Sequence, residues 1–403
     1  MDERQAAVLA LPSAPDAIEL RHLRAFVAVA EELNFGRAAA RLYLSQPALS
    51  RQIRALERLV GPDLLRRSTH RVELTLAGEA LLDRVRDLLR GLDQAISATR
   101  SMGGETAERI ARLWAPADAL TADGATLHEL REVTEALHGQ FPVPPEIAVA
   151  PVNMSGVPGL TLAPPERAVT TLFLHGGGHA MGSAFGYRHL AGALALASDT
   201  GVLVPEYRLA PEYPFPASLD DAVLAYRWLL DAGVAPVVVG DSSGGGLAVS
   251  LLLRLRQDGL PQPAGAVLMC PWIDLTCTIQ KPAEGDAQPL LTMQAARRCA
   301  PAYIGDHPID DPLLSPLSAD LSGLAPLLVQ AGTGDPIRED AHQLVDRVRD
   351  HGGDARLELY PADTHDFHLF WSFLPEAADA LDHAGRFVRE VAAAPVMRGA
   401  VHP

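Results

Sequence analysis

The sequence predicts an α/β protein in which a mostly parallel sheet, covered by helices on both faces, follows a small, mainly helical domain. Three observations predict it. From about residue 169 onward, short continuous apolar runs alternate with helix-like segments, the pattern of strands buried on both faces. From Leu20 to about Arg100, apolar residues instead recur at three and four, as in a chain that is helical almost throughout. The charge divides at the same place: residues 1 to 100 hold 15 Arg, no Lys and 13 Asp plus Glu, near +2, which leaves about −18 of the net −16 for the rest. At 403 residues, with 48% hydrophobic and 21% charged side chains, the chain can bury two or three ordinary domains.

Residues 1–17 are expected to be a flexible extension. Residues 18–76 carry three short helical stretches around Phe26, AAARLYL and QPALSRQIRAL, and then a basic turn. Leu49, Ile53, Leu56 and Leu59 line one face of the third, which Ser45 and Pro47 start and Gly61 and Pro62 end. One long helix follows over 77–100, and residues 101–104, with Gly103 and Gly104, form a hinge.

Two helices joined by a tight turn give the spacing of a helix-turn-helix, whose second helix enters the DNA major groove. Ser45, Gln46, Pro47, Ser50, Arg51 and Arg54 cluster near the exposed start of that helix. Hydroxyl and amide groups there can contact base edges and phosphates, and the arginines can pair with phosphate or guanine. Six Arg against Glu57 and Asp63 make residues 45 to 71 about +4. A solvated basic helix in a protein-interaction domain is the alternative from pattern alone. The wording decides between them: the stretch LRHLRAFVAVAEELNFGRAAARLYLSQPALSRQIRALERLVGPDLLRRSTHRVELTLAGEALL resembles the winged helix-turn-helix domain of LysR-type transcriptional regulators throughout. Leu65 stands where that family usually has Phe. The resemblance implies double-stranded DNA binding through the helix from Ser45 to about Leu56, wing contacts from Arg66, Arg67 and Arg71, and dimerisation through the long helix. A homodimer or homotetramer is therefore expected. The periplasmic-binding-protein-like effector domain usual in that family is absent.

Residues 105–395 form the α/β part, followed by a tail over 396–403. Two weaker helical stretches, Ala107 to Trp114 and Leu127 to His138, precede the runs VTTLFL (169–174), GVLVPE (201–206), APVVVG (235–240), AGAVLMCP (264–271), PLLVQAG (326–332) and LELYP (357–361). PAEGDAQP (282–289) reads as a polar loop.

The chemistry-bearing residues follow strands. In HGGGHAMGS, from His175, glycines let backbone N–H groups converge on one point, as an oxyanion requires. In GDSSGGG, Gly240, Ser242 and Gly244 fit the elbow that presents a nucleophilic serine between strand and helix. Asp335 and His365 come next in the order Ser, acid, base, with Glu339 or Asp340 as rival acids and His368 as a rival base. The rivals read better as residues of the following helix surface. Either glycine turn alone is commonly just a turn; their ordered placement after strands is what carries weight.

HGGGHAMGS, YRLAPEYPFPASLDDAVLAYRWL, GDSSGGGLA, DPLLSPL, DPIRED and HDFH resemble the hormone-sensitive-lipase family of α/β-hydrolases, the bacterial HGGG/GDSAGG esterases, from about 105 to 392. The resemblance implies an α/β-hydrolase with a helical cap over about 105–140, acting on a small-molecule ester. It makes Ser242 the nucleophile, His365 the base, Asp335 its orienting acid, and Gly176, Gly177 and Ser243 the oxyanion hole, with no cofactor or metal. Ser243 stands where Ala is commonest and His179 where an aromatic is frequent, and Glu212 reads as structural.

Cys270, Cys277 and Cys299 make no disulfide framework and are expected to pack the core in a reducing compartment. The acidic start does not fit a signal peptide, and no apolar run approaches the roughly 20 residues of a membrane span, so no membrane partner and a cytoplasmic protein are expected. Two other readings stay open: a regulator that uses the hydrolase fold as a ligand sensor, and a free-standing esterase beginning at Met102.

Overall fold

The computed structural model describes residues 18–42, 44–67, 72–101, 105–122, 125–277 and 289–393, in two compact units, Met1–Ile96 and Ser97–Pro403. The expected extension (1–17), hinge residues 102–104, most of the polar loop (282–288) and the tail lie outside the described residues.

In the first unit, helices α1 (Leu20–Glu32), α2 (Phe35–Arg41) and α3 (Gln46–Val60) precede a hairpin of β1 (Leu65–Arg67) and β2 (Val72–Leu74), and α4 (Leu76–Ser101) closes it. Local chemistry sets the ends. Asn34 accepts the N–H groups of Gly36 and Arg37 to start α2. Ser45 accepts that of Ala48 to start α3, and Gly61 ends it at φ +101°. Leu49, Ile53 and Leu56 are fully buried against Phe26 and Val29 of α1, with Leu82 and Val85 of α4. Leu65 is buried there too, so an aliphatic side chain suffices at that wing position.

Glu57 departs from its reading as a charge offsetting the basic patch. It is buried, and its carboxylate accepts the N–H groups of Leu64 and Leu65 at 3.2 and 3.3 Å, which fastens the wing to α3.

The second unit begins with α5 (Glu105–Ala122) and α6 (Leu127–His138). Its sheet comprises β3 (Ala148–Met154), β4 (Val157–Ala163), β5 (Val169–Leu174), β6 (Gly201–Pro205), β7 (Val237–Asp241), β8 (Gly265–Met269), β9 (Leu327–Gly332) and β10 (Ala355–Tyr360), in the order β10-β9-β8-β7-β5-β6-β4-β3. The pairs from β10 through β6 are parallel; β4 runs antiparallel to β6, and β3 to β4. Helices α7 (Arg188–Ser198), α8 (Ala217–Asp231), α9 (Ser243–Gln257), α10 (Pro289–Ile304), α11 (Arg338–Asp350) and α12 (Pro375–Ala393) complete it.

Both faces of the central strands are buried, which is why their sequences read as continuous apolar runs rather than alternating ones. Val237, Val239, Val267 and Met269 face α7 and α12, while Val238, Ala266 and Leu268 face α8, α9 and α11. The two antiparallel strands are an addition to the expected architecture. Each carries a proline, Pro151 or Pro158, and β3 is an exposed edge strand, where proline is tolerated and apolar periodicity fades. Among the described residues, no helix is long and apolar enough to cross a membrane.

Candidate active site

The site is assembled at the carboxyl ends of β7, β9 and β10. Ser242 lies between β7 and α9 at φ 51°, ψ −118°, a backbone that L side chains rarely adopt, and it persists because the turn is boxed in. A Cβ on Gly244 would sit 2.1 Å from the Leu174 carbonyl oxygen, so only glycine lets α9 start this close to β5. The serine hydroxyl is thereby held at the sheet edge.

Two loops bring the other groups to it. His365 follows β10, with Nε2 2.8 Å from Ser242 Oγ. Asp335 follows β9 and meets His365 Nδ1 at 3.0 and 3.1 Å through its two carboxylate oxygens, one of which also accepts the Ile337 N–H at 2.9 Å. All three side chains are buried. The rivals stand elsewhere. Asp340 is buried rather than on a helix surface, and accepts the N–H groups of Ile273 and Asp274. His368 is also buried, with Nε2 on Gln330 Oε1 at 3.2 Å, and Glu339 is exposed on α11.

The electrostatics are lopsided. Burial depresses His365, but the carboxylates of Asp335 and Asp366, the hydrogen bond its ring donates to Asp335 and the nearby Asp241 outweigh it and lift its pKa well above that of an ordinary imidazole. Burial raises Asp241 strongly and raises Asp366 as well. His368 is pushed down to about 3, by burial first and then by His365.

Around the serine, Gly177 at φ +109° turns the HGGG loop, and a Cβ there would strike the Met181 carbonyl at 2.3 Å. The Ser243 hydroxyl accepts the His179 N–H at 3.1 Å and so ties that loop to the start of α9. The His179 ring is buried and stacks on Tyr303 at 3.7 Å, lining a small cavity with Ser250 and Trp272.

Two residues beyond the sequence motifs hold the preceding helices to the walls of the site. Arg131 of α6 donates to both carboxylate oxygens of Glu212, at 2.7 and 2.6 Å, and to the carbonyls of Ala180 and Ala210, giving Glu212 the structural part expected of it. Trp114 of α5 donates to Thr364 Oγ1 at 3.2 Å, next to His365. Neither carries a motif, since each acts across a large sequence separation.

Cys270, Cys277 and Cys299 are free and buried, as packing requires, yet Cys270 at φ 43° also reaches the site. Its sulfur and ligand atoms of His365 and Asp366 lie within 4.8 Å of one another, a cluster that shares its histidine with Ser242.

In the first unit, Ser45, Gln46, Pro47, Arg51, Arg54 and Arg66 are exposed and Ser50 is half-buried, so the proposed reading face of α3 points outward. Arg67 lies in β1 but its side chain, like all of Arg71, is outside the described residues.

Comparison with known proteins bears on both units. Residues 171–369 match a family described as having the alpha/beta hydrolase fold, and residues 20–79 match the lysR family of bacterial regulatory helix-turn-helix proteins. An acetyl-hydrolase of Streptomyces hygroscopicus is 42% identical over 224 residues, 55% of this chain and 75% of that protein. An esterase of Acinetobacter venetianus is 33% identical over 266 residues, 64% of this chain and 87% of its own. Among solved structures, an esterase from the bacterial hormone-sensitive lipase family superposes with a TM-score of 0.63 at 35% identity, covering 70% of this chain and 98% of that one.

Proposed function

This chain belongs to the bacterial hormone-sensitive-lipase family of α/β-hydrolases and carries a lysR-family helix-turn-helix, and we propose that it hydrolyses short-chain carboxylic esters through Ser242, His365 and Asp335 while its N-terminal unit binds double-stranded DNA. The observation that carries the enzymatic reading is the unbroken relay from Ser242 Oγ to His365 Nε2 at 2.8 Å and from His365 Nδ1 to Asp335 at 3.0 Å, on a strained elbow.

Mechanistically, the neutral His365 takes the Ser242 proton as Oγ attacks the ester carbonyl carbon. Asp335 holds the ring with Nδ1–H toward itself and stabilises the imidazolium. The backbone N–H groups of Gly176, Gly177 and Ser243 receive the charge that develops on the carbonyl oxygen. His365 then gives its proton to the departing alkoxide, and a water molecule, deprotonated by the same ring, cleaves the acyl-enzyme. Residues 105–140 act as the cap over the acyl pocket, and His179 shapes the substrate rather than the chemistry.

Purified full-length protein should hydrolyse p-nitrophenyl acetate or butyrate, and Ser242→Ala should lower kcat by at least about 10⁴-fold with the fold intact. Retained turnover in that variant would refute the assignment of the nucleophile.

For the N-terminal unit, residues 18–76 read DNA with the α3 face and the wing, and α4 pairs two copies through a face that includes the exposed Leu88. Three buried free cysteines fit a cytoplasmic setting. Binding of the full chain to the DNA beside its own gene should weaken steeply as salt rises, because phosphate contacts release counterions. Salt-insensitive binding, or none, would remove the regulator reading and leave an esterase alone.

A further inference from the structure

Arg131, Thr134 and Glu135 of α6 stand three and four residues apart, so they share one helix face, and all three reach the loop that follows β5. Arg131 Nε donates to the Ala180 carbonyl at 2.5 Å, and Thr134 Oγ1 lies 3.8 Å from the Met181 sulfur. Glu135 accepts the Ser183 hydroxyl at 2.9 Å, and that hydroxyl accepts the Gly186 N–H at 2.8 Å. Arg131 Nη2 also donates to the Ala210 carbonyl at 2.6 Å, while the bidentate pair with Glu212 fixes the plane of the guanidinium. The Ala210 N–H in turn donates to the His179 carbonyl at 3.0 Å, which closes a ring of contacts around residues 179–180.

Residues 180–183 do not themselves meet the oxyanion, but they lie directly behind the glycines assigned to it. The N–H groups of Ala180 and Met181 donate to the Gly177 carbonyl at 3.1 and 2.8 Å. A Cβ on Gly177 would come within 2.3 Å of the Met181 carbonyl oxygen, and one on Gly182 within 2.7 Å of the Gly176 carbonyl oxygen, so the outer arm of the loop rests on the inner arm without a gap. Backbone packed this closely transmits a displacement rather than absorbing it. The Arg131 and Glu212 side chains are 23% and 55% exposed, so solvent screening leaves their ion pair little to contribute through charge alone. Ala180 and Ala210 are fully buried, and holding their two carbonyls in place is what the guanidinium does that a bare charge would not.

Resting on the triad and oxyanion-hole reading above, we infer that Arg131 is a positioning residue for hydrolysis: it clamps the outer arm of the HGGG loop from the cap, so that the Gly176 and Gly177 N–H groups are aimed at the developing oxyanion only while α6 is seated. The cap thereby governs the chemical step for every acyl chain, in addition to walling the acyl pocket. The leverage is large, because losing one oxyanion donor costs about 10²–10³ in kcat and a misplacement of about 1 Å costs about 10².

The test compares wild-type protein with Arg131→Met, Arg131→Lys and Glu212→Gln on p-nitrophenyl acetate, butyrate and hexanoate. Arg131→Met keeps the apolar stem and removes every donor; it should lower kcat about 10- to 100-fold, by the same factor for all three esters, with KM changed less than about threefold. Arg131→Lys keeps the charge without the fork and should fall nearly as far. Glu212→Gln leaves the guanidinium on its two carbonyls and should stay within about threefold of wild type. A trifluoromethyl ketone adds to Ser242 as a tetrahedral oxyanion, so its inhibition constant should rise in Arg131→Met by the factor by which kcat falls. An unchanged kcat in Arg131→Met overturns the inference, as does a loss that differs among the esters while inhibition by the ketone is unchanged, which would leave α6 an acyl-pocket wall alone. Should Arg131→Met fail to fold, Arg131→Lys carries the same comparison. Failure of the triad reading is distinguishable, because it would show as turnover surviving Ser242→Ala whatever residue stands at position 131.

Discussion

Ser243 illustrates how one hydroxyl links two functional loops. Its position in GDSSGGG is occupied for backbone reasons, and its N–H is proposed to serve the oxyanion, yet its side chain also accepts the His179 N–H and pins the HGGG loop against α9. Ser243→Ala removes that tether while keeping the backbone donor. A single hydrogen bond is worth about 1 kcal/mol, so kcat should fall about fivefold with Tm nearly unchanged. A fall of a thousandfold in steady-state assays would mean that the hydroxyl itself meets the substrate. Residue-scale reading of sequence has a clear limit here. GDSSGGG and HGGG are legible because their chemistry is local, whereas the choice of Asp335 over Asp340 and of His365 over His368 depends on which side chains two separate loops turn toward Ser242.

At the scale of elements, α3 and the wing behave as one piece because Glu57 is internal. Its carboxylate satisfies the N–H groups of Leu64 and Leu65, and Gly78 lets α4 start against the Leu64 carbonyl, which a Cβ would approach to 2.2 Å. Glu57→Ala strands two donors in an apolar setting, at a cost of about 1–3 kcal/mol, and should loosen the wing. The expected outcome is weaker DNA binding by the full chain in a titration, with ester hydrolysis unaffected; unchanged binding would detach the wing from recognition. Helix periodicity and caps made α1 to α4 readable in the sequence, but the partner of Glu57 was not, since a charged residue in a basic stretch looks solvated until its surroundings are known. The same holds for β3 and β4, whose prolines hide them; the pairing of β4 with β6 and of β3 with β4 supplies what local pattern lacks.

The whole hydrolase unit is braced by a buried polar network as well as by its two apolar faces. Gln330 of β9 donates to Glu358 and Tyr360 of β10 and to the Ala380 carbonyl of α12, and His383 of α12 meets Glu358 at 3.1 Å. Burial by itself would raise Glu358, but the hydrogen bonds and charge of His383, with those from Tyr360 and Gln330, bring it down to about 2. A carboxyl depressed in the fold contributes stability that is full above its unfolded pKa and is lost as pH falls through the folded one. Wild-type Tm should therefore drop between about pH 4.5 and pH 2, and Glu358→Gln should be less stable near neutrality while losing less across that window. Parallel Tm curves for the two proteins would show that Glu358 does not carry this linkage.

Sequence alone determined the two-part plan, the mostly parallel sheet and the glycine-flanked turns that follow its strands, Ser242 among them, because each of these is written in contiguous residues whose spacing mirrors a local geometry. Tertiary structure decided which carboxylate and which histidine meet the serine, that Glu57 and Asp340 are internal anchors, and that Trp114 and Arg131 hold the preceding helices to the site. Those are contacts between residues far apart in the chain, and packing settles them where periodicity is silent.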